Sequence, residues 1–229
     1  MNQPKASKRY QAATKLVESQ KLYSIEDAVD VLKKMPRTKF DETIELSCKL
    51  NVDPKQSEQM VRGSVILPHG TGKKIKVLVF CEPEKESKAK EAGADYIGFQ
   101  ELADKILKEG WFDFDYCIST PGMMRVVSKL GKVLGPRGLM PSPKTGTVTE
   151  NVAHAIEEAK RGKIDFRMDK FGCLQVGLGK ISFSEKALKE NISRFVEALN
   201  ASKPAAVKGE LYTTLYLSTT MSPSIRLGL

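Results

Sequence analysis

Two glycine-rich stretches contain the residues of this sequence that could bind a nucleotide phosphate. The stretch HGTGKK, from His69 to Lys74, is similar to the end of a P-loop, in which backbone N–H groups and a lysine hold the phosphates. However, Leu67 occupies the position of the first P-loop glycine, and Lys74 occupies that of the Ser or Thr that binds Mg²⁺. The stretch VGLGKIS has Ser182 where the dinucleotide-binding motif needs its third glycine. Neither stretch therefore predicts a nucleotide site.

Side chains that could act as acids, bases or metal ligands are few and scattered. The two histidines, His69 and His154, lie 85 residues apart, and neither sits in a pattern that would pair it with a Ser or Cys nucleophile. Four acids could form a carboxylate pair only if the fold brought them together: Asp41, Glu42, Glu45 and Asp169. No spacing matches a metal site. The residue types thus argue against an enzyme and predict no bound metal.

The four cysteines lie far apart in apolar or strand-like runs: Cys48, Cys81, Cys117 and Cys173. Because none is in a Cys-x-x-Cys pair, we expect reduced thiols in the core, without a zinc ribbon or a disulfide framework. The N-terminal stretch MNQPKASKRYQAATK is basic and polar, and no run approaches the about 18 apolar residues of a membrane span. We therefore expect a cytoplasmic protein with no membrane partner.

The net charge favours a polyanionic partner. The 229 residues are 41% hydrophobic, enough to bury a substantial core, and the formal charge of +9 gives a pI near 9.3. Residues 1–70 contain 12 Lys or Arg and 9 acids, and residues 158–229 contain 12 Lys or Arg and 7 acids. Between them, residues 71–157 contain 13 Lys or Arg and 12 acids, so this middle segment is nearly neutral. The positive charge is thus concentrated at the two ends of the chain. Nucleic acid is the favoured partner, although the charge could also serve solubility alone.

The two ends of the chain share one pattern of elements. SIEDAVDVLKKM predicts a helix with Ser24 as its N-cap and Asp27 as the acidic partner of a capping box. TIELSCKL alternates apolar and polar residues and predicts a strand with one buried face. VRGSVIL and ELYTTLYLSTT predict further strands, and IDFRMD and CLQVGLG predict a hairpin around Lys170–Gly172. SEKALKENISRFVEALNAS predicts a long helix with one apolar face: Leu188, Ile192, Phe195, Val196 and Leu199.

The middle of the chain has a different pattern, in which strand and helix alternate. IKVLVF and FDYCIST are continuous apolar runs, as in strands buried on both faces, and helices closed by Gly93 and Gly110 separate them. This alternation predicts a doubly wound parallel sheet, a small Rossmann-like unit.

Two domains account for the change of pattern. Each outer segment alone has too few elements for an independent core, so we predict that both chain ends pair into one α+β domain with the middle inserted. The predicted domains are residues 1–70 with 158–229, and residues 71–157. The crossings between them contain Gly70 and Gly162, which could act as a hinge. Two sequential domains are the alternative, which pattern alone does not exclude.

A stretch without acids, Pro121–Thr149, contains five cations: Arg125, Lys129, Lys132, Arg137 and Lys144. Its prolines restrict the backbone, so less entropy would be lost on binding a phosphate. Two interpretations are open. The stretch recognises phosphate without catalysis, or Gly and Pro shape a long loop whose cations are solvated.

Six stretches of the sequence resemble one family. The sequence is similar to the bacterial L-one family of large-subunit ribosomal proteins in these stretches: KLGKVLGPRGLMPSPKTGTVT, KFDETIEL, VRGSVILPHGTGK, EAGADYIG, GWFDFDYCISTPGMM and STTMSPSIR. The resemblance extends from about Tyr10 to about Arg226, and the run GPRGLMP is more restrictive than any phosphate-loop pattern. It implies a fold of class α+β and α/β: a split β-α-β domain formed by both chain ends, with an inserted Rossmann-like parallel-sheet domain.

The function that the resemblance implies is binding to the mobile stalk of large-subunit ribosomal RNA, near the tRNA exit site. A protein of this kind is a structural constituent of the large subunit that assists the release of deacylated exit-site tRNA and represses translation of its own operon mRNA. The resemblance implies no enzyme activity, no cofactor and no metal. It also implies a cytoplasmic, ribosome-bound location and a monomer off the ribosome.

The family binds RNA mainly through the domain made by the chain ends. Six positions match family contact positions: Lys39, Phe40, Thr43, Thr214, Thr220 and Met221. Lys170, in the predicted hairpin turn, is a further cationic candidate. Short hydroxyls can meet ribose 2′-OH groups and phosphate oxygens, while Phe40 and Met221 would exclude water from the contact. The alternative for these two apolar side chains is ordinary packing in the core.

One residue departs from the family pattern. Ser222 follows Met221 where the family usually has glycine. If the backbone there needs a positive φ, serine costs about 1 kcal/mol; alternatively, its hydroxyl makes a hydrogen bond of its own. The acid-free stretch Pro121–Thr149, which we call the Gly/Pro stretch, lies in the nearly neutral middle of the chain. We therefore expect it to shape the inserted domain, with its cations in a secondary role.

Two other classes of function are open on the sequence. A nucleotide-dependent enzyme would use the Rossmann-like unit and bind ATP or NAD tightly, which the missing phosphate loop argues against. A scaffold for protein partners, whose charge serves only solubility, would bind RNA weakly and without regard to RNA structure.

Overall fold

The chain folds into two compact units in the computed structural model, which describes residues 6–18, 20–207 and 209–228. The outer unit consists of the described residues of Met1–Gly72 and Ile164–Leu229, and the inserted unit is Lys73–Lys163. The first five residues of the basic N-terminal stretch lie outside the described residues.

The helices and strands follow one another along the chain in this order: α1 (Lys8–Thr14), α2 (Ile25–Lys34), β1 (Thr43–Leu50), β2 (Arg62–Ile66), β3 (Val77–Phe80), α3 (Glu86–Glu91), β4 (Tyr96–Gly98), α4 (Gln100–Glu109), β5 (Tyr116–Ser119), α5 (Met124–Val127), α6 (Gly131–Leu134), α7 (Val152–Lys160), β6 (Lys163–Arg167), β7 (Cys173–Lys180), α8 (Glu185–Ala201), β8 (Tyr212–Thr219) and β9 (Ile225–Arg226).

The core of the outer unit lies against one face of an antiparallel sheet of order β7-β1-β8-β9. Leu46, in the middle of β1, pairs with Val176 of β7 and Leu217 of β8, and all three side chains are buried. Helices α2 and α8 cover this face. Because side chains alternate along a strand, the polar residues of β1 lie on the opposite face. We call that opposite face the open face; its residues are Thr43, Glu45, Ser47, Lys49, Gln175, Gly177, Thr214, Tyr216, Ser218 and Arg226.

Serine caps begin both covering helices. The Asp27 N–H donates to Ser24 Oγ over 3.1 Å, so Ser24 is confirmed as the N-cap. Asp27 is its acidic partner, but the carboxylate accepts from the Ser24 hydroxyl over 2.9 Å and not from the backbone N–H of a full capping box. Ser184 caps α8 in the same way by accepting from the Ala187 N–H. The five apolar residues predicted on the inner face of α8 are buried: Leu188, Ile192, Phe195, Val196 and Leu199.

The predicted hairpin of IDFRMD and CLQVGLG is wrong in its pairing. β6 pairs with β2 in a separate two-stranded sheet, while β7 pairs with β1. The turn between β6 and β7 is present, since the Asp169 N–H donates to the Cys173 carbonyl over 2.8 Å. A turn is encoded by neighbouring residues, whereas β2 lies far earlier in the chain and no local pattern specifies that partner.

The inserted unit is built on a parallel sheet of order β4-β3-β5. Every residue of β3 is buried, as its continuous apolar run predicted, because each face of the sheet carries its own core. Helices α3 and α7 pack on one face, and α4 and α5 pack on the other. Gly110 ends α4 in the left-handed conformation, with φ +61°.

The predicted fold class, α+β and α/β, is confirmed by the antiparallel outer unit formed from both chain ends and the inserted unit with its parallel sheet. The domain assignment, residues 1–70 with 158–229 and residues 71–157, stays a prediction. Its second boundary falls inside α7, whereas the two compact units divide after Gly72 and after Lys163. Within the described ranges, no helix is long and apolar enough to span a membrane.

Candidate RNA-binding surface

A buried carboxylate organises one end of the outer sheet. Glu42, only 5% exposed, lies just before β1, and its Oε2 accepts from the Thr219 hydroxyl and, over 3.3 Å, from the Met221 N–H. Thr38 lies beside the same carboxylate and also lowers its pKa, while the Thr38 hydroxyl donates to the Phe40 carbonyl over 2.9 Å. Burial raises the pKa of Glu42, but these hydrogen bonds outweigh burial and hold the pKa below its ordinary value. Glu42 is thus an ionised anchor between two segments that are 177 residues apart.

Thr43 and Thr220 join the start of β1 to the end of β8. The Thr43 N–H donates to the Thr220 hydroxyl over 3.1 Å, and the Thr220 N–H donates to the Thr43 carbonyl over 3.1 Å. Arg9 adds a further link, since its guanidinium donates to the Met221 carbonyl over 2.8 Å and to the Pro36 carbonyl over 3.4 Å. Sequence reasoning missed Arg9, because nothing distinguishes it from the other cations of the basic N-terminal stretch.

This join presents apolar side chains to solvent. Phe40 is 53% exposed and Met221 is 50% exposed, so the alternative of core packing is wrong for both. Lys39 and Thr220 are exposed beside them, and Thr43 is half-buried. We call these five residues the Met221 corner. Exposed apolar side chains among cationic and hydroxyl groups are typical of an interaction site.

Ser222 fits the turn after Met221 without strain. Among the described residues only glycines have a positive φ, so the backbone penalty considered for serine does not arise. The Thr219 N–H donates to the Ser222 hydroxyl over 2.9 Å, and this hydroxyl donates to the Pro223 carbonyl over 3.0 Å. The serine hydroxyl therefore closes the turn that carries Met221.

The two remaining predicted contact residues, Thr214 and Lys170, lie at the other end of the sheet. Thr214 pairs with Lys49, which follows Thr43 on β1 by six residues, or about 20 Å. The Lys49 ammonium donates to the Phe171 carbonyl, next to Lys170 in the turn before β7. The predicted contact residues therefore form two groups at opposite ends of β1 and not a single cluster.

The open face connects these two groups. Its middle is a row of polar side chains in matching register: Ser47 pairs with Gln175 on one side and Tyr216 on the other, and Tyr216 pairs with Arg226. Such groups can donate to and accept from ribose and phosphate oxygens. Sequence reasoning missed this row. The signal was present, because each residue occupies a polar position of an alternating strand, but the strand order that aligns them is long-range.

Three of the four acids considered for a carboxylate pair are engaged by other groups of the outer unit. Asp41 accepts from the Ser182 N–H over 3.2 Å and from the Ser182 hydroxyl over 2.7 Å, and Glu42 holds the Met221 corner. Asp169 lies in the turn at the far end of the sheet, where it accepts backbone N–H groups. Among the described residues, no group of three or more His, Cys, Asp and Glu side chains could hold a metal ion.

The Gly/Pro stretch of the inserted unit is a compact segment. The Thr147 hydroxyl accepts from the Ser142 N–H over 2.7 Å, and the Thr147 carbonyl accepts from the Ser119 N–H, which extends the parallel sheet beside β5. Arg137 lies over the Phe112 ring at 3.7 Å. The five cations of the stretch are exposed, and the part of the chain that is described contains no ion pair to any of them: Arg125, Lys129, Lys132, Arg137 and Lys144. Both interpretations of these cations stay open.

Comparison with known proteins gives the family. The profile of the Ribosomal protein L1p/L10e family matches residues 32–223. Three proteins named large ribosomal subunit protein uL1 are similar along nearly their whole length. That of Fervidobacterium nodosum is 54% identical over 226 residues, 99% of this chain and 96% of that protein. That of Persephonella marina is 53% identical over 226 residues, 97% of this chain and 93% of that protein. That of Thermosipho africanus is 53% identical over 223 residues, 97% of this chain and 96% of that protein.

These matches also bear on one class of function that the sequence left open, the nucleotide-dependent enzyme. The matched proteins named above are ribosomal proteins. Their similarity to this chain, and not the lack of a catalytic motif, confirms the prediction that the chain is not an enzyme. The profile covers most of both predicted domains. It includes five of the six stretches that carried the resemblance in full, and STTMSPSIR as far as Pro223. The chain belongs to the Ribosomal protein L1p/L10e family.

Proposed function

We propose that this protein is a structural component of the large ribosomal subunit and binds the mobile ribosomal RNA stalk near the tRNA exit site through its outer unit. As a member of a ribosomal protein family it works on the ribosome, in the cytoplasm. The names of its three relatives support the large subunit as the assembly. The ends of the chain, which form the outer unit, carry most of the positive charge and support RNA as the direct partner.

The observation that carries this proposal is the geometry of the Met221 corner. Phe40 and Met221 are about half exposed, yet hydrogen bonds hold the backbone of each. The Met221 N–H donates to Glu42, and the Phe40 carbonyl accepts from the Thr38 hydroxyl over 2.9 Å. A preformed apolar contact loses little conformational entropy when a partner covers it. Lys39 and the threonine hydroxyls beside it supply a cation and hydrogen-bonding groups for phosphates and ribose hydroxyls.

The shape of the surface favours a structured RNA over a single nucleotide. The Met221 corner and the group of Thr214 and Lys170 are separated by about 20 Å along β1, with the open face between them. A folded RNA element can contact both groups at once, whereas a free nucleotide reaches only one. Proteins recognise such RNA by its shape and by contacts to its riboses and phosphates.

We further propose that the bound protein assists the release of deacylated tRNA from the exit site, represses translation of its own operon mRNA, and is a monomer off the ribosome. Translation of the operon mRNA would be repressed if this mRNA contains an element that resembles the stalk, because both RNAs would then bind at the Met221 corner. An operon mRNA fragment should therefore compete with the stalk RNA for the protein.

The test is a salt titration of binding to a stalk RNA fragment and to a scrambled RNA of equal length. We expect a clear preference for the stalk. The double variant Phe40→Ala/Met221→Ala should lose at least about tenfold in stalk affinity, because both contacts are apolar and central. Its log–log salt slope should change little, since no cation is removed.

Leu107→Ala is the matched control, because Leu107 is 47% exposed and lies in the inserted unit. It should bind the stalk like the wild type. Equal affinity of the wild type for stalk and scrambled RNA would refute the proposal. Wild-type affinity of the double variant would show that RNA binds elsewhere.

A further inference from the structure

Phe171 is the most exposed large apolar side chain among the described residues. It is 75% exposed, compared with 53% for Phe40 and 50% for Met221. Neither the family resemblance nor the predicted contact residues include it. An aromatic ring with this exposure buries little apolar surface, so folding gains little free energy from it.

The turn that carries Phe171 is held in one conformation. The Asp169 carboxylate accepts from the Phe171 N–H and from the Cys173 N–H, each over 2.8 Å. Gly172 has φ +71°, a conformation that glycine adopts without strain, and its carbonyl accepts from the Leu50 N–H over 2.8 Å. The Lys49 ammonium donates to the Phe171 carbonyl. The backbone of Phe171 is therefore fixed from both sides while its ring points away from the core.

The surroundings of the ring are cationic and polar. Lys170, the preceding residue, is exposed, and the described part of the chain contains no ion pair to it. Thr214 pairs with Lys49 in the sheet beside the turn. Asp169 lies in the same turn, but its carboxylate is engaged by backbone N–H groups. An exposed aromatic ring beside an exposed lysine is a combination with which proteins hold unpaired nucleotides, because the ring stacks on the base and the cation meets the phosphate.

We propose that Phe171 is a stacking platform for an unpaired base of the RNA that binds the open face, with Lys170 contacting the adjoining phosphate. This inference rests on the proposed function and adds to it. The Met221 corner then fixes one end of the RNA, and Phe171 fixes a second point about 20 Å away along β1. Stacking tolerates any base, so this contact selects for a base that is unpaired and not for its identity.

The experiment measures stalk RNA affinity of the full chain for Phe171→Ala, Phe171→Leu and Phe171→Trp. We expect Phe171→Ala to lose about tenfold, Phe171→Leu to lose nearly as much although it stays apolar, and Phe171→Trp to retain wild-type affinity. The salt slope should be unchanged in all three, whereas Lys170→Gln should lower it by about one unit. Thermal melting should show equal stability for all variants, because the ring is exposed.

The stacked base is located by removing each unpaired base of the RNA fragment in turn. At one position, removing the base should weaken binding of the wild type but should not weaken binding of Phe171→Ala any further, because both changes remove the same interaction. If Phe171→Ala binds like Leu107→Ala while Phe40→Ala/Met221→Ala loses affinity, the stacking inference is wrong and the proposed function stands. If the wild type does not prefer the stalk to scrambled RNA, both fail. If Phe171→Ala keeps the RNA affinity of the wild type but is retained less well on assembled large subunits, Phe171 contacts a protein and the inference is overturned.

Discussion

Met221 donates its backbone N–H to the Glu42 carboxylate over 3.3 Å, although the two residues lie 179 positions apart in the sequence. The same carboxylate oxygen also accepts from the Thr219 hydroxyl, so the buried Glu42 is engaged by the segment at the end of β8. The role of Glu42 is therefore to hold the Met221 corner together from inside and not to contact RNA.

Replacing Glu42 with Gln should destabilise the protein at neutral pH by about 2 kcal/mol, because charge-assisted hydrogen bonds are lost at a buried site. The pKa of Glu42 is lower in the folded than in the unfolded chain. The ionised carboxylate thus contributes stability above the unfolded pKa of about 4.3, and this contribution is lost as the pH falls through the folded pKa. Urea unfolding between neutral pH and about pH 3 should show that the difference between the two proteins shrinks on acidification.

Glu45→Gln is the control for this prediction, since Glu45 is exposed on the open face three residues further along. It should change the free energy of unfolding by less than about 0.5 kcal/mol. A difference between wild type and Glu42→Gln that stays constant down to acid pH would contradict the ionised state assigned to Glu42.

The secondary structure could be predicted from the sequence because its signals are local. TIELSCKL alternates strictly, and β1 spans these eight residues, Thr43–Leu50. The N-cap Ser24 and its acidic partner Asp27 marked the start of α2. Strand pairing was not predictable in the same way. The partner of β6 is β2, and the signal for that choice is the combined packing of the outer core, which no short window contains.

The candidate site was predictable only in part. Family resemblance pointed to Phe40 and Met221, but residue type alone favours core packing for both, and only the fold shows them exposed. Arg9, Glu42 and the row of Ser47 and Tyr216 were missed as parts of this surface, because their roles depend on segments that meet across nearly the whole chain.

Neutralising the cations of the Gly/Pro stretch should affect stalk RNA binding less than removing Phe40 and Met221. Lys132, Arg137 and Lys144 lie in the inserted unit, whose 16 Lys or Arg and 13 acids give a net charge of +3, compared with +6 for the outer unit. The triple replacement by Gln should leave affinity within about threefold and the log–log salt slope nearly unchanged, because a cation that meets an RNA phosphate contributes about one unit to that slope. A slope lower by two or three units would make this stretch a main anchor for RNA.

Asn191 should be important for stability despite being a polar residue of α8. It is fully buried; its side-chain oxygen accepts from the His69 N–H over 3.1 Å, and its amide donates to the Gly70 carbonyl over 2.9 Å and the Leu178 carbonyl over 2.8 Å. Asn191→Ala leaves these backbone groups unpaired and should cost about 3 kcal/mol in urea unfolding. Ser193→Ala, at an exposed position of the same helix, should cost less than about 0.5 kcal/mol. Similar destabilisation of the two variants would show that the buried hydrogen bonds do not matter.

Thiol reagents should label Cys173 first. Cys173 is half-buried, whereas Cys48, Cys81 and Cys117 are buried. Burial, with a smaller effect of the Cys173 thiol, raises the pKa of Cys48 to about 12, and burial also raises the pKa of Cys81 and Cys117. Because the thiolate is the reactive form, the native protein should consume one equivalent of reagent quickly and the unfolded protein four. Cys173→Ser should abolish the fast phase; a fast phase that persists in this variant would place another thiol at the surface.

The outer unit should fold without the inserted unit if the predicted division into domains is correct. Its apolar core draws on both chain ends, and pairing of β2 with β6 brings the strands on either side of the insertion together. A short glycine-rich linker can therefore replace residues 73–162, which leaves β6 complete. The shortened protein should unfold cooperatively and prefer the stalk RNA, with a salt slope close to that of the full chain. Non-cooperative unfolding would contradict the domain assignment, and cooperative unfolding without RNA preference would place an essential contact in the inserted unit.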